Sequence, residues 1–404
     1  MRKTLGLAAL VAALLCGAAD AQQQINVKVG VLTDMASLYA DDTGIGSVIA
    51  AKLAAQDFMK DHPNVKVEIV SADHQNKADI GTQIVNQWID VDHVDMIADV
   101  PNSGVALAVS EVVKQKNKVF VASGPASSDL TGPKCSPNTV HWTYDTWMLA
   151  NGTGKAIVKN GGDTWFFLTS DYAFGHALER DTAAVVKANG GKVLGAVRHP
   201  INTSDFSSFL LQAQASKAKI IGLANAGGDT INAIKQGAEF GIVAGGQKFA
   251  GLLIFAPDVA ALGLKTAQGL QFTETFYWDL NDGTRAWTKR WDKERNAPGK
   301  LPSMNMAGVY SGTLHYLKAV AAVGSAADGK AVVAQMKKMP AEDQVYGKST
   351  VRVDGRVLHP AYLFEVKKPE ESKYPGDLYN LRATIPADEA FRPLKDGNCP
   401  LVSG

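Results

Sequence analysis

The chain of 404 residues carries 41 Lys and Arg against 40 Asp and Glu, a formal charge of +1, with 46% hydrophobic residues. That balance argues against nucleic acid or an anionic membrane surface as partner, since both demand a basic face. The length exceeds one ordinary domain, and the apolar content suffices for two cores.

Residues 1–21 read as a secretory leader. Arg2 and Lys3 form its charged start, 5–15 its apolar core, and Ala19-Asp20-Ala21 a small-x-small site that places the cut after Ala21. The apolar run is too short for a permanent span. Cys16 invites a lipid-anchored alternative, but Leu15 stands where that processing wants a small residue. Loss of Arg2, Lys3 and Asp20 brings the formal charge to zero. Two cysteines then remain, Cys135 and Cys399. An even pair in an exported protein favours a disulfide, which would pin the C-terminal tail to the loop at 133–135; the alternative is two buried free thiols.

The stretch 27–58 opens with an apolar, β-branched run at 27–32, a strand, followed by a polar loop at 33–44 with Tyr39 near its tip. Ile45, Val48, Ile49, Leu53 and Phe58 then fall near helical spacing. Strands at 65–70, 94–100 and 119–122 alternate with helices at 78–89 and 106–116. A second set begins after Thr143: helix 147–159, strand 164–168, helix 177–188, strand 193–197, helix 206–215, strand 220–224, helix 230–240 and strand 249–255. Residues 273–279 and helices 285–295 and 304–323 follow. The end differs in character, with a hairpin at 349–358 turning on Asp354-Gly355, a strand at 362–366, and proline-rich coil. Two βα sets of similar size predict an α/β fold of two Rossmann-like lobes with ligands at the carboxyl ends of parallel strands.

Catalytic motifs are missing. There is no G-x-S-x-G, no Walker loop and no H-E-x-x-H, and the eight histidines are scattered singly. Neither an enzyme nor a metal or other cofactor is expected. What recurs is small, hydroxylated, glycine-containing loops at strand ends: Pro101-Asn102-Ser103-Gly104, Ser123-Gly124-Pro125-Ala126-Ser127-Ser128 and Asn225-Ala226-Gly227-Gly228-Asp229. Each exposes amides and hydroxyls at a helix start, which suits a carboxylate, although plain capping by Asn102, Ser127 or Asp229 reads equally well for any one loop. Tyr39, Tyr172, Phe174, Phe255 and Tyr277 stand at similar places and offer the apolar part of a pocket, with rim or core packing as the alternative.

With these residues in view, the chain resembles the extracytoplasmic substrate-binding proteins of ATP-driven importers. It is similar to their branched-chain amino acid-binding branch, which has the type I periplasmic-binding-protein fold. The leader, VKVGVLTDMASLYADDTGIGSVIAAKLAAQDF, NSGVALAVSEV, SGPASSDLTG and SDYAFGHALERD carry the likeness. The resemblance implies a periplasmic monomer of two lobes, 25–143 plus 273–345 and 144–272 plus 346–404, joined by three crossovers and closing on a ligand. Its partners would be a small carboxylate and a membrane permease. No signalling module is read before Gly404, so a sensory role is not expected.

Carried over by position, Asn102, Ser103, Gly124, Ala126 and Ser127 would hold the ligand carboxylate and Tyr39 would cover it. Asp145, Tyr172, Phe174 and Asn225 would face it from the second lobe. The family's amino-acid binders place an acid after the strand corresponding to 249–255, where it meets the ligand ammonium. Here that segment runs Leu253-Ile254-Phe255-Ala256-Pro257, with no carboxylate before Asp258. A buried ammonium without counter-charge would cost several kcal/mol. DMASLYAD, LLIFAPDVAALGLK and TETFYWDLNDGT resemble the sub-group that binds benzoate-like acids, which implies an apolar wall of Phe255, Tyr277 and Met304. Asp145 or Asp258 keeps an amino acid open as the other reading.

Overall fold

The computed structural model describes residues 24–402, so the leader and its cleavage site lie outside the described residues. The first sheet is built from β1 (Ile25–Thr33), β2 (Val65–Asp73), β3 (Met96–Asp99), β4 (Val119–Ala122) and β5 (Thr139–His141), in the order β2-β1-β3-β4-β5. Every pairing is parallel, so each connection must cross over, and α1 (Gly44–Asp61), α2 (Ala78–Asp90) and α3 (Ser103–Gln115) do so. All residues of β3 and β4 are buried, as expected of strands covered on both faces. The order reverses between β1 and β3, and a crevice opens at their carboxyl ends.

Beyond β5 the chain enters α4 (Thr146–Leu149), capped by the Asp145 carboxylate on the Met148 amide, and continues through a π turn at Ala150–Gly154 into α5 (Lys155–Lys159). The second sheet holds β6 (Thr164–Ser170), β7 (Lys192–His199), β8 (Ile220–Ala224) and β9 (Lys248–Gly251) in the order β7-β6-β8-β9, again all parallel. Its crossovers are α6 (Ala173–Ala188), α7 (Ser207–Ala215) and α8 (Gly228–Glu239); α9 (Ala256–Leu262) and α10 (Leu264–Ala267) follow β9.

Strand β10 (Gln271–Glu274) leads into α11 (Asp282–Arg295), α12 (Met304–Val323) and α13 (Gly329–Lys338), and α11 and α12 return to cover the first sheet against α1. Trp291 donates its indole N–H to the Gly46 carbonyl at 3.0 Å, and Arg290 grips Asp57 with two bonds of 2.8 Å. Short β11 (Ala341–Asp343), β12 (Gly347–Val351) and β13 (Val357–Leu358) form a small antiparallel sheet. Finally β14 (Ala361–Val366) pairs with both β10 and β15 (Tyr379–Ile385). The chain thus passes between the two parallel sheets three times, in the type I manner.

The strands leaving the first sheet are tied together by Arg356, which is fully buried. It bonds the carbonyls of Tyr144 and Val357 at 2.8 and 3.1 Å, faces Asp145 at 3.6 Å and stacks on Phe391. His141 bridges to Arg356. Cys135 and Cys399 form a disulfide across 264 residues, with their Cα atoms 5.6 Å apart.

Several elements differ from the sequence reading. Helices α3 and α6 start three and four residues earlier than the apolar periodicity shows, with Asn102 capping the first and Tyr172 at the N-cap of the second. Strand β9 ends at Gly251, and Leu252 to Phe255 turn into a loop that ends in α9. The tail expected to be coil contains β15, whose residues are mostly exposed on an edge and so lack a buried stripe.

Candidate functional site

The first loop is organised by Asp34. Its carboxylate accepts the amides of Ser37 and Tyr39 at 2.8 and 2.9 Å and the Asn76 side chain at 2.7 Å. Burial pushes the Asp34 pKa up, but these bonds outweigh it and hold the group below its ordinary value. The result is a rigid presentation of Tyr39, whose hydroxyl meets that of Tyr172 from the N-cap of α6. On the same side, the Leu38 carbonyl lies over the start of α8, 3.4 Å from the Gly228 amide.

Beneath this contact is a cavity. Tyr39, Pro101, Gly124 and Ala126 line it from the first sheet; Tyr172, Phe174, Ala226, Leu253 and Phe255 line it from the second. Tyr144, at the first crossing, and Asn305, in the first turn of α12, complete the wall. It is tight, about 10 Å³ for the centre of a water-sized sphere, room for roughly one water. Tyr144 packs edge-on to Phe255 and donates its hydroxyl to the Gly124 carbonyl at 2.8 Å.

Of the residues singled out in the sequence, Tyr39, Gly124, Ala126, Tyr172, Phe174 and Phe255 meet in this cavity. Asn102 and Ser103 adjoin it: Asn102 caps α3, and the Ser103 hydroxyl accepts the Ala126 and Ser127 amides at 3.3 and 3.2 Å, leaving its own proton to give. Ser127 caps the short helical turn at Ser128–Thr131. The other four do not line it. Asp145 is tied to α4 and Arg356, and Asn225 bonds Thr230 and His199 within the second sheet's loops. Tyr277 bonds Gly376 and Leu378, and Met304 receives the Thr275 amide. Sequence reasoning left out Tyr144 and Asn305, and named Pro101, Ala226 and Leu253 only as members of their loops and segments. Tyr144 and Asn305 were adjacent to residues already named, but Asn305 is turned by about 100° from Met304 along α12. Tyr144 stands before the N-cap Asp145 in extended backbone, where successive side chains point to opposite sides.

A second tie crosses the crevice. Ser128 donates to Asp181 of α6 at 2.7 Å, Thr146 does so at 2.6 Å, and Arg180 reaches Asp129 at 3.2 Å.

Buried acids surround the site. Asp99 ends β3 with φ 78°, followed by Val100 at φ 62°, two successive left-handed residues without glycine. Burial raises its carboxyl to about 7, and the hydroxyls of Thr33, Ser47 and Ser123 only partly counter this. Desolvation likewise lifts Asp258 to about 7, and pushes Asp42 and Glu274 well up, with mutual repulsion adding to it. Among the described residues no group of three His, Cys, Asp or Glu is placed to hold a metal.

The sign of the Asp99 effect is testable. A carboxyl whose folded pKa lies above its unfolded value of about 4 lowers stability progressively as pH rises from about 4 to 7. Asp99→Asn is therefore expected to be more stable than wild type at pH 8, by a few kcal/mol and at most ~4 kcal/mol, with the gap shrinking toward pH 4. Thermal unfolding of both proteins across that range checks it; an equal gap at pH 5 and pH 8 would refute the assignment.

A family model described as periplasmic binding protein matches residues 26–373. The chain belongs to the periplasmic binding protein family. It is similar, at 50% identity and a TM-score of 0.89, to the crystal structure of a periplasmic binding protein from Burkholderia mallei, over 94% of this chain and 99% of that one. It is 39% identical, TM-score 0.80, to a branched chain amino acid ABC transporter periplasmic ligand-binding protein from Burkholderia xenovorans, over 93% of this chain and 99% of that one. A solute-binding protein of an ABC transporter from R. palustris, crystallised with 4-hydroxybenzoate, shares the fold at 23% identity and a TM-score of 0.79, over 90% of this chain and 97% of that one. Within this family the chain is a periplasmic solute-binding protein of an ABC transporter, not an enzyme. Its small-molecule ligand is delivered to a membrane permease.

Proposed function

We propose that the ligand is a small aromatic carboxylate, benzoate- or hydroxybenzoate-like, held between two closing lobes and passed to the importer. The observation that carries this is the lining itself. Five aromatic rings, Tyr39, Tyr144, Tyr172, Phe174 and Phe255, face the cavity, and no carboxylate stands among the lining residues. A ligand ammonium would find no counter-charge there, since Asp258 is spent on the Phe255 amide at 3.0 Å. The ligand carboxylate would take the Ser103 proton and the amides and hydroxyls around Asn102, Gly124, Ala126 and Ser127.

In this proposal the leader is removed after Ala21 and the mature protein is a monomer. The moving lobes are 25–143 with 273–345 and 144–272 with 346–404. The bridge between His141 and Arg356 favours carrying the third crossing to after Leu358.

An α-amino acid is the second reading. It is favoured by the buried acids Asp42, Asp258 and Glu274 near the wall and by the likeness to the branched chain amino acid ABC transporter protein from Burkholderia xenovorans. Thermal unfolding with benzoate, 4-hydroxybenzoate and leucine separates the two. A ligand at about 100 times its Kd stabilises by ~2.7 kcal/mol, several degrees in Tm. Shifts with the aromatic acids and none with leucine are expected; a shift with leucine alone rejects the aromatic ligand.

A further inference from the structure

Asn305 is 2% exposed and lines the cavity from the first turn of α12. Its backbone amide is satisfied by Ser303 at 3.1 Å, but its side-chain Oδ1 has no hydrogen-bond partner. Tyr144, which shares this wall, gives its single hydroxyl proton to the Gly124 carbonyl and so has none to offer Oδ1. Oδ1 is left as an acceptor in the wall of the cavity.

A buried acceptor in the wall with no donor beside it calls for a donor on the ligand. A carboxylate has no proton to give, and an unsubstituted ring has none either. Resting on the aromatic-acid reading, we infer that Asn305 selects a hydroxyl on the ligand ring, so that the ligand class is hydroxylated aromatic acids. Asn305 acts as the specificity-determining residue, while the Ser103 end supplies affinity common to all aromatic acids.

Calorimetric titration of the purified, ligand-stripped protein with benzoate, 3-hydroxybenzoate and 4-hydroxybenzoate provides the test. Wild type is expected to bind at least one hydroxybenzoate about 10–100-fold more tightly than benzoate, the usual penalty for leaving a buried acceptor unpaired. Asn305→Leu is expected to abolish that preference by weakening the hydroxybenzoate more than benzoate. Asn305→Ala, which adds no bulk, serves if the leucine variant does not fold. Benzoate bound as tightly as every hydroxybenzoate, or a variant that weakens both equally, overturns the role of Asn305 and leaves the aromatic-acid reading standing. Binding of no aromatic acid removes both.

Discussion

Gly227→Ala is expected to weaken ligand binding about 100-fold. Gly227 has φ 56° and ψ −135°, and a Cβ built there would lie 2.5 Å from the Leu38 carbonyl oxygen. Leu38 belongs to the loop after β1 and Gly227 to the start of α8, so the clash arises only when the two sheets' loops meet. To relieve it the first loop must withdraw, giving up the Gly228–Leu38 contact and the meeting of the Tyr39 and Tyr172 hydroxyls. Disfavouring the closed arrangement by ~3 kcal/mol lowers apparent affinity about 100-fold, because only that arrangement grips the ligand.

The substitution also strains the backbone, in either arrangement, by about 1–3 kcal/mol, and that part lowers Tm without touching affinity. Gly241→Ala is the control. Its φ is 67°, yet nothing lies within 4 Å of the added Cβ. Calorimetric Kd values that rise for Gly227→Ala and hold for Gly241→Ala are expected; equal losses of affinity, or none, would show that closure over Gly227 is not required.

The second large effect concerns stability. Replacing Cys135 and Cys399 together by alanine is expected to cost ~5–6 kcal/mol in the chain-entropy account, because the bond closes a loop of 264 residues. In Tm this amounts to roughly 7 °C for a chain of this size. The bond ties the tail to the loop that follows Ser127 and Ser128, where Arg392 also holds the Ser128 carbonyl at 2.9 Å. Affinity is expected to fall less than stability, since the loop keeps its ties to Thr146 and Asp181. Thermal unfolding of the double variant checks this, and a Tm within 2–3 °C of wild type would contradict it.

Much of the architecture was legible without coordinates because it rests on local periodicity. The β-branched runs at 27–32, 119–122 and 220–224 and the amphipathic stretches between them can form only βα units, and the even cysteine pair in an exported chain pointed to its bond. Strand β15 was not legible, since an exposed edge strand has no buried stripe and exists because β14 offers it partners. The end of β9 escaped for a related reason: Leu253 and Phe255 are as apolar as a strand, but they are apolar because they face a cavity.

The sequence by itself determined the class of loop at each strand end, because small hydroxylated residues and glycines declare themselves by type. It also determined the lack of catalytic chemistry motifs and the aromatic stock of the pocket. Only the tertiary structure decided which of those side chains face one another. Asp145 and Met304 point into packing while their neighbours Tyr144 and Asn305 reach the cavity, and Asp258 closes a helix start instead of awaiting an ammonium. The reason is geometric: a residue's type is local, but its direction is set by helix phase and by contacts made across more than a hundred residues of chain.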